Sequence, residues 1–262
     1  MIERKMIDLH THVLPAIDDG PTCDQESLQL LEAAIRGNID TMVMTPHYDH
    51  RYANEKADIL IQTDRLQRLA RENGLNLELL PGQEIRIYNA LLEDYHAGKL
   101  LTLANSRYLL IEFPANQIPS YTERLFYELE VMGIKPVIAH PERNSEFLAT
   151  PEKLFSLVKK GALAQLTTSS VLGFFGKRVE KFSHQLIEAN LVHVVASDAH
   201  NLDKRPFNLS EAYEVIFQKH GLEQVNYFGD NARAITFDQT IYPKVPQRVR
   251  RKKRLSFFDL KR

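Results

Sequence analysis

Metal-ligand-type side chains recur at the ends of seven successive apolar, strand-like runs, and this restricts the chain to a repeated parallel β/α arrangement with its chemistry gathered at one end. The runs cover residues 6–10, 41–45, 77–80, 108–113, 135–139, 162–167 and 192–197. They are dense in Val, Ile, Leu and Met, as strands buried on both faces should be. The residues at their ends are His10 and His12 with Asp19, then His47, Glu84, Glu112, His140, and finally Asp198 with His200. One His-x-His pair is a weak signal, since two such residues can be packing or surface groups. The same placement repeated strand after strand is hard to reach by accident, and it points to a metal-dependent hydrolase.

Helix-type segments alternate with these runs. Thr22 and Gln25 read as a capping box ahead of Leu28, Leu31 and Ile35. Residues 54–73 form a long polar helix with Ile59, Leu66 and Leu69 turned inward, stopped by Gly74. Leu125, Leu129 and Met132 make a further stripe before Gly133, and residues 180–189 and 209–219 complete the set. The alternation predicts an α/β fold, a distorted seven-stranded parallel β/α barrel with one unit fewer than the eightfold form. In such barrels the reactive residues follow the C-terminal ends of the strands, as every candidate ligand does here.

The 262 residues, 44% hydrophobic and 26% charged, suit one large domain. We expect the barrel over residues 1–240 and a basic C-terminal tail over 241–262. The single cysteine, Cys23, excludes an internal disulfide and suits a cytoplasmic location. The start of the chain does not read as a secretory signal, and no apolar run approaches the ~20 residues of a membrane span. The net charge of −1 hides an asymmetry, because residues 244–262 carry +8 and the remainder −9. So acidic a body argues against nucleic acid as the substrate. Arg248–Arg254 holds six basic residues in seven, followed by Leu255, Phe257, Phe258 and Leu260. Peripheral contact with an anionic membrane and a solvated terminus are both open readings of it.

Imidazole with carboxylate suits Mn²⁺, Fe or Zn²⁺ rather than the all-oxygen sites of Mg²⁺ or Ca²⁺. Nine ligands exceed the needs of one ion, and three ions with bridging carboxylates use them economically. Three divalent ions among four carboxylates leave a centre of about +2, suited to an anionic substrate. Arg143 follows His140 by three residues and Arg205 follows His200 by five, so both are candidates to grip phosphate oxygens; the alternative is that both are ordinary surface arginines. Other nucleophile schemes fail. Gln29 stands where a thiol phosphatase built on Cys23 would need arginine, and no Gly-x-Ser-x-Gly elbow or nucleotide-type glycine loop occurs. The amidohydrolase barrel shares the initial His-x-His, but it wants a carboxylated lysine after strand four and a histidine after strand six. Glu112 and Thr167-Thr168-Ser169 stand there instead.

Taken together, Asp8-Leu-His10-Thr-His12, Asp18-Asp19-Gly20-Pro21, Thr45-Pro46-His47, Pro81-Gly82-Gln83-Glu84, His140-Pro141-Glu142-Arg143 and Ser197-Asp198-Ala199-His200-Asn201 resemble the PHP (polymerase and histidinol phosphatase) superfamily. Within it, residues 6–240 resemble the manganese-dependent protein-tyrosine phosphatases of bacterial capsule and exopolysaccharide synthesis, the CpsB/YwqE type. The resemblance implies a TIM-like PHP fold. It implies one metal held by His10, His12, Glu84 and Asp198, and a second by Glu84, Glu112 and His140. Asp19, His47 and His200 would hold the third. Arg143 and Arg205 would bind phosphate, and would act in catalysis together with Asp198 and His200. The implied reaction is in-line attack of metal-bound hydroxide on a phosphotyrosine of a membrane-associated bacterial tyrosine kinase. Histidinol phosphate or another small phosphoester is the alternative substrate, and a kinase-binding regulatory protein the non-enzymatic alternative.

Four further readings stay open. Asp8 either orients a ligand histidine or pairs with an interior polar group. Asp18 could cap a turn. The loop 168–177, with Phe174 and Phe175, either walls a phenyl ring or packs locally. His50 could lie near the site, whereas His96, His184, His193 and His220 read as structural or solvated.

Overall fold

The computed structural model describes residues 5–250. In chain order the first half comprises β1 (Met6–Thr11), α1 (Asp24–Arg36), β2 (Ile39–Met44), β3 (His47–Tyr48), α2 (Lys56–Glu72), β4 (Glu78–Pro81), β5 (Glu84–Arg86), α3 (Leu91–His96) and β6 (Tyr108–Glu112). The second half comprises α4 (Thr122–Val131), β7 (Lys135–Ala139), α5 (Ser145–Ala149), α6 (Pro151–Lys159), β8 (Leu163–Thr167), α7 (Thr168–Val171), α8 (Lys177–Glu188), β9 (Val194–Ala196), α9 (Leu209–His220) and α10 (Leu222–Thr236).

A strand stands at each of the seven expected runs, and all strand pairs are parallel. The expected α/β fold with parallel strands is present, but the distorted seven-stranded barrel is not what the hydrogen bonding shows. Hydrogen bonding gives a three-stranded sheet, β1-β2-β4, and a six-stranded sheet, β3-β5-β6-β7-β8-β9. The cause lies in two interruptions. Thr45-Pro46 separates β2 from β3, and Gly82-Gln83 separates β4 from β5. Proline has no N–H to continue a ladder. At Gly82 a Cβ would stand 2.6 Å from Val43 Cγ1, so the kink can press against β2 only without a side chain. Past these breaks β3 and β5 leave the first sheet and pair with each other, and β5 then pairs with β6. On the other side, β1 meets the end of β9 through backbone bonds from Asp198 N to His10 O (2.9 Å) and from His12 N to Ala199 O (2.8 Å).

Both strand faces are buried. Ile7, Leu9, Val43, Leu110, Val137, Leu163 and Val194 join one apolar cluster, closed by Ala232 and Ile235 of α10 and by Ile241. The alternate residues Met42, Met44, Ile111, Ile138, Leu166 and Val195 join a larger cluster with the inward stripes of the helices. Helix α10 escaped the sequence reading because buried Gln224 and Asn231 interrupt its apolar stripe; Asn231 Nδ2 donates to His193 O at 2.8 Å. The capping box is also corrected. Cys23 is the N-cap of α1, and Thr22 donates through N and Oγ1 to Glu26 rather than to Gln25. Beyond α10 the chain stays on the body: Tyr108 Oη donates to Gln239 O (2.6 Å) and Gln247 N to Ala189 O (2.8 Å). The basic run from Arg251 onward, and the lipid reading placed on it, lie outside the described residues.

His193 is buried and neutral, with Nδ1 accepting from Ala164 N at 3.0 Å. Burial lowers it from 6.5 to about 4. An unfolded chain takes up this proton near the ordinary value while the folded chain resists it, so stability falls as pH drops from 6.5 toward 4. The gap corresponds to about 3 kcal/mol. His193→Asn keeps an acceptor but removes the titration. Its denaturation midpoint is expected to fall less steeply than the wild-type midpoint between pH 6.5 and 4.

Candidate metal centre

His10 and His12 leave the end of β1 on the same face, and their Nε2 atoms lie 3.1 Å apart. Glu84 Oε2 is 3.3 Å from each of these nitrogens, and Asp198 Oδ1 is 3.4 Å from His10 and 3.6 Å from His12. Four donors each about 2.1 Å from a shared ion are spaced by about 3.4 Å, so this cage has the size a divalent transition metal needs. On its far side His140 Nε2 lies 2.8 Å from Glu84 Oε1 and 3.8 Å from Glu112 Oε1. His47 bridges outward, with Nδ1 3.0 Å from Glu84 Oε2 and Nε2 3.4 Å from Asp19 Oδ1. His200 Nε2 is 3.1 Å from that same Asp19 oxygen. All nine candidate ligands thus meet in one continuous constellation.

The tautomers suit metal binding. His10 Nδ1 lies 2.9 Å from Gln165 Oε1, His12 Nδ1 2.6 Å from Asp18 Oδ2, and His200 Nδ1 2.9 Å from the carbonyl of Asp198. Each partner accepts the Nδ1 proton and leaves the Nε2 lone pair facing the centre. Glu84 Oε2 and His200 Nε2 are buried and make no hydrogen bond, as expected of atoms whose partner is a cation. Imidazole and carboxylate are also the right donors for Mn²⁺, Fe or Zn²⁺. The residues therefore fit the metals their pattern implies.

The electrostatics agree. Burial opposes charge on His10, yet Glu84 and Asp198 hold its pKa up at about 9; burial likewise opposes His47, which Glu84 and Asp19 hold at about 11. Protons thus occupy ground that cations would take, and metal binding releases them. Burial would also raise Glu84 and Asp198, but His10 and His47 hold Glu84 well down, and Arg143, His10 and Arg205 do the same for Asp198. Burial and the Arg143 charge bring His140 to about 4, while burial and His12 bring His200 to about 4, so both rings are neutral. Burial and the Glu84 charge raise Glu112 to about 7.

Two site residues carry left-handed backbone without being glycine: His140 at φ 33° and Asp198 at φ 57°. Strain of this kind collects at functional sites, where it aims a side chain that a regular strand would misdirect. Gly20 serves the same end, since a Cβ there would stand 2.4 Å from His12 O.

Both arginines reach the centre. Arg143 Nη1 donates to Asp198 Oδ2 at 2.7 Å, and Arg205 Nη2 to Asp198 Oδ1 at 2.8 Å. The Arg143 guanidinium also lies 5.4 Å from the ring centroid of Phe175, which is 41% exposed. Asp18 clamps His12 and also accepts from His47 N (3.2 Å), so it does more than cap a turn. Asp8 ties backbone, accepting from Ser197 N (3.0 Å) and His10 N (3.4 Å), rather than touching a ligand ring. His50 is turned to solvent, its side chain 83% exposed.

Sequence reasoning missed three neighbours. Gln165 is a polar residue in an apolar strand, a signal that was available. Arg86 pairs with Glu112 at 2.9 Å, and Tyr52 stacks on His47 with centroids 6.0 Å apart. Gln165→Leu is expected to weaken divalent-metal binding by about 10–100-fold, because His10 loses the group that sets its tautomer. The Mn²⁺ concentration for half-maximal metal occupancy, measured by titration, checks this.

With this geometry in view, comparison with known proteins is decisive. Residues 6–236 match the family described as capsular polysaccharide synthesis, CpsB/CapC. The chain belongs to the CpsB/CapC family. It is 44% identical over 254 residues to the tyrosine-protein phosphatase YwqE of Bacillus subtilis, covering 97% of this chain and all of that protein. It is 40% identical over 242 residues to the putative tyrosine-protein phosphatase CapC of Staphylococcus aureus, covering 92% and 95% of the two chains. A crystal structure from work on YwqE of Bacillus subtilis and CpsB of Streptococcus pneumoniae, described as unique metal-dependent tyrosine phosphatases, superposes with a TM-score of 0.92 at 44% identity. It covers 94% of this CpsB/CapC chain and all of the other.

Proposed function

We propose that this CpsB/CapC protein is a metal-dependent tyrosine phosphatase that hydrolyses phosphotyrosine on a partner protein in capsule or exopolysaccharide synthesis. The observation that carries the reading is that Arg143 and Arg205 both close on Asp198, at the rim of a nine-ligand cage. His10, His12, Glu84 and Asp198 would hold one ion, Glu84, Glu112 and His140 a second, and Asp19, His47 and His200 a third, with Mn²⁺ first in choice over Fe or Zn²⁺. Bound there, the ions would polarise phosphoryl oxygens and would lower the pKa of water toward about 7.

The chain's own residues do the rest. Arg143 and Arg205 turn from Asp198 to the phosphate oxygens, where planar guanidinium forks match the geometry. Asp18, Gln165 and the Asp198 carbonyl keep His12, His10 and His200 aimed inward. Phe175 offers a wall for the phenyl ring. A phenolate, with an ordinary pKa of about 10, leaves far more readily than an alkoxide.

Phe175, 41% exposed beside Arg143, favours a protein substrate over a small enclosed one. By family likeness the partner is a membrane-associated tyrosine kinase, met from the cytoplasm. No helix among the described residues is long and apolar enough to cross a membrane. A basic tail against anionic lipid would place the enzyme beside such a kinase.

Phosphate release from phosphotyrosyl peptide, phosphoseryl peptide and histidinol phosphate, with Mn²⁺ and with chelator, tests the reading. We expect Mn²⁺-dependent release with preference for phosphotyrosine. Preference for histidinol phosphate would keep the metal centre and move the substrate, while no release from any would favour a binding protein. Phe175→Ala should raise KM for the phosphotyrosyl peptide about two- to fivefold and leave phosphoserine turnover unchanged.

A further inference from the structure

Helix α7 is four residues long and buried throughout, yet three of its side chains are hydroxyls: Thr168, Ser169 and Ser170. None of the three is among the candidate metal ligands. A buried hydroxyl is costly unless it is hydrogen-bonded, and apolar side chains would fill the same space more cheaply. The reason for the hydroxyls lies in what they touch.

Ser170 Oγ donates to Glu142 Oε1 at 2.6 Å, and Thr167 N donates to the same oxygen at 3.1 Å. Glu142 is fully buried and lies in the single turn Pro141–Arg143, so its carboxylate pins the turn that carries Arg143. On the other side Thr168 Oγ1 donates to Asn208 Oδ1, and Asn208 Nδ2 donates to Ser169 Oγ at 3.0 Å. One amide thus engages two α7 hydroxyls, donating to one and accepting from the other, which leaves it a single orientation. Asn208 stands at the far end of the loop that carries Arg205. Asn201 shapes the near end, its Oδ1 accepting from Lys204 N (2.7 Å) and Arg205 N (3.1 Å). A third tie runs to the loop of Phe175, since Phe174 N donates to Ser169 O at 2.9 Å.

We propose that α7 is a positioning bridge for phosphate recognition, in which Ser170 sets Arg143 through Glu142, while Thr168 and Ser169 set Arg205 through Asn208. These residues act through the arginines, fixing the spacing of the two guanidinium forks from a buried, fully engaged row of hydroxyls. The bridge rests on the reading of both arginines as phosphate-binding, and not on which phosphoester is turned over.

Calorimetric binding of inorganic phosphate to the Mn²⁺-loaded full chain, measured beside metal content, tests the bridge. Ser170→Ala and Asn208→Ala should each weaken phosphate binding about fivefold, the cost of one or two buried hydrogen bonds, with metal content unchanged. The effect should vanish where the arginine is already gone. Ser170→Ala should add nothing to Arg143→Ala, and Asn208→Ala nothing to Arg205→Ala. A purely structural loss would cost the same factor with and without the arginine, and that result would overturn the proposal, as would unchanged phosphate affinity in either single variant. If Asn208→Ala fails to fold, Ser170→Ala, which removes one oxygen, still decides the bridge. Arginine variants that bind phosphate like the wild type would overturn the phosphate reading and the bridge with it. Weakened arginine variants beside an unaffected Ser170→Ala would remove the bridge alone.

Discussion

Glu84→Gln is expected to reduce phosphotyrosine hydrolysis by about a thousandfold, well past the 10–100-fold that loss of an outer partner costs, and to deplete bound metal in step. The isosteric change keeps the packing of a residue that is 1% exposed, so the loss is one of charge and not of shape. Glu84 Oε2 faces three imidazoles, those of His10, His12 and His47, at 3.0–3.3 Å, while Oε1 meets His140 at 2.8 Å. Among the described residues no other carboxylate touches so many candidate ligands. A neutral amide there presents one oxygen and one NH₂, and the NH₂ repels a cation. Metal content per chain, read beside kcat, makes the test sharp. Retained turnover with depleted metal would remove Glu84 from the centre, and retained metal with lost turnover would make it a group acting on substrate. The melting transition, followed in both proteins, separates either result from simple unfolding.

That such an experiment can be designed on Glu84 owes much to local pattern. Apolar runs marked all seven main strands, and six of them lead to a His, Asp or Glu among the nine residues that the fold brings together, because a parallel strand's end is a fixed place in a β/α unit. Where the sequence reading failed, the missing information was long-range. Gln165 meets His10 across 155 positions, and although a polar residue in an apolar strand stands out, nothing local says which residue it meets. The split into two sheets depends on how Pro46 and Gly82 let β3 and β5 turn away, which strand propensity does not record. Phe175 could be read as walling a phenyl ring or as local packing, and its place beside Arg143 is a contact that the loop sequence does not announce. Helix α10 shows a different failure. Its buried Gln224 and Asn231 break the apolar stripe, since Asn231 spends its side chain on the carbonyl of His193. The left-handed backbone of His140 and Asp198 could not be seen at all, because neither position holds a glycine.

Arg143→Ala should lower kcat/KM for a phosphotyrosyl peptide by about 10²–10³-fold, the usual cost of removing one preorganised donor to developing negative charge. Its side chain is only 24% exposed, and its nearest acid is Asp198 at 2.7 Å, so the guanidinium waits at the centre with a carboxylate in the position an anionic substrate would claim. Arg205 approaches the other oxygen of Asp198 at 2.8 Å and survives the substitution, which bounds the loss. Asp198 is left with one cationic clamp in place of two, and bound metal should remain near wild-type content. Arg143→Lys is expected to recover only part of the rate. Lysine restores the charge but not the planar fork, nor the stacking on Phe175. A graded series, wild type above lysine above alanine with metal content level throughout, identifies phosphate recognition as the role. Full activity in Arg143→Ala would instead return Arg143 to the status of a surface residue that Asp198 happens to hold.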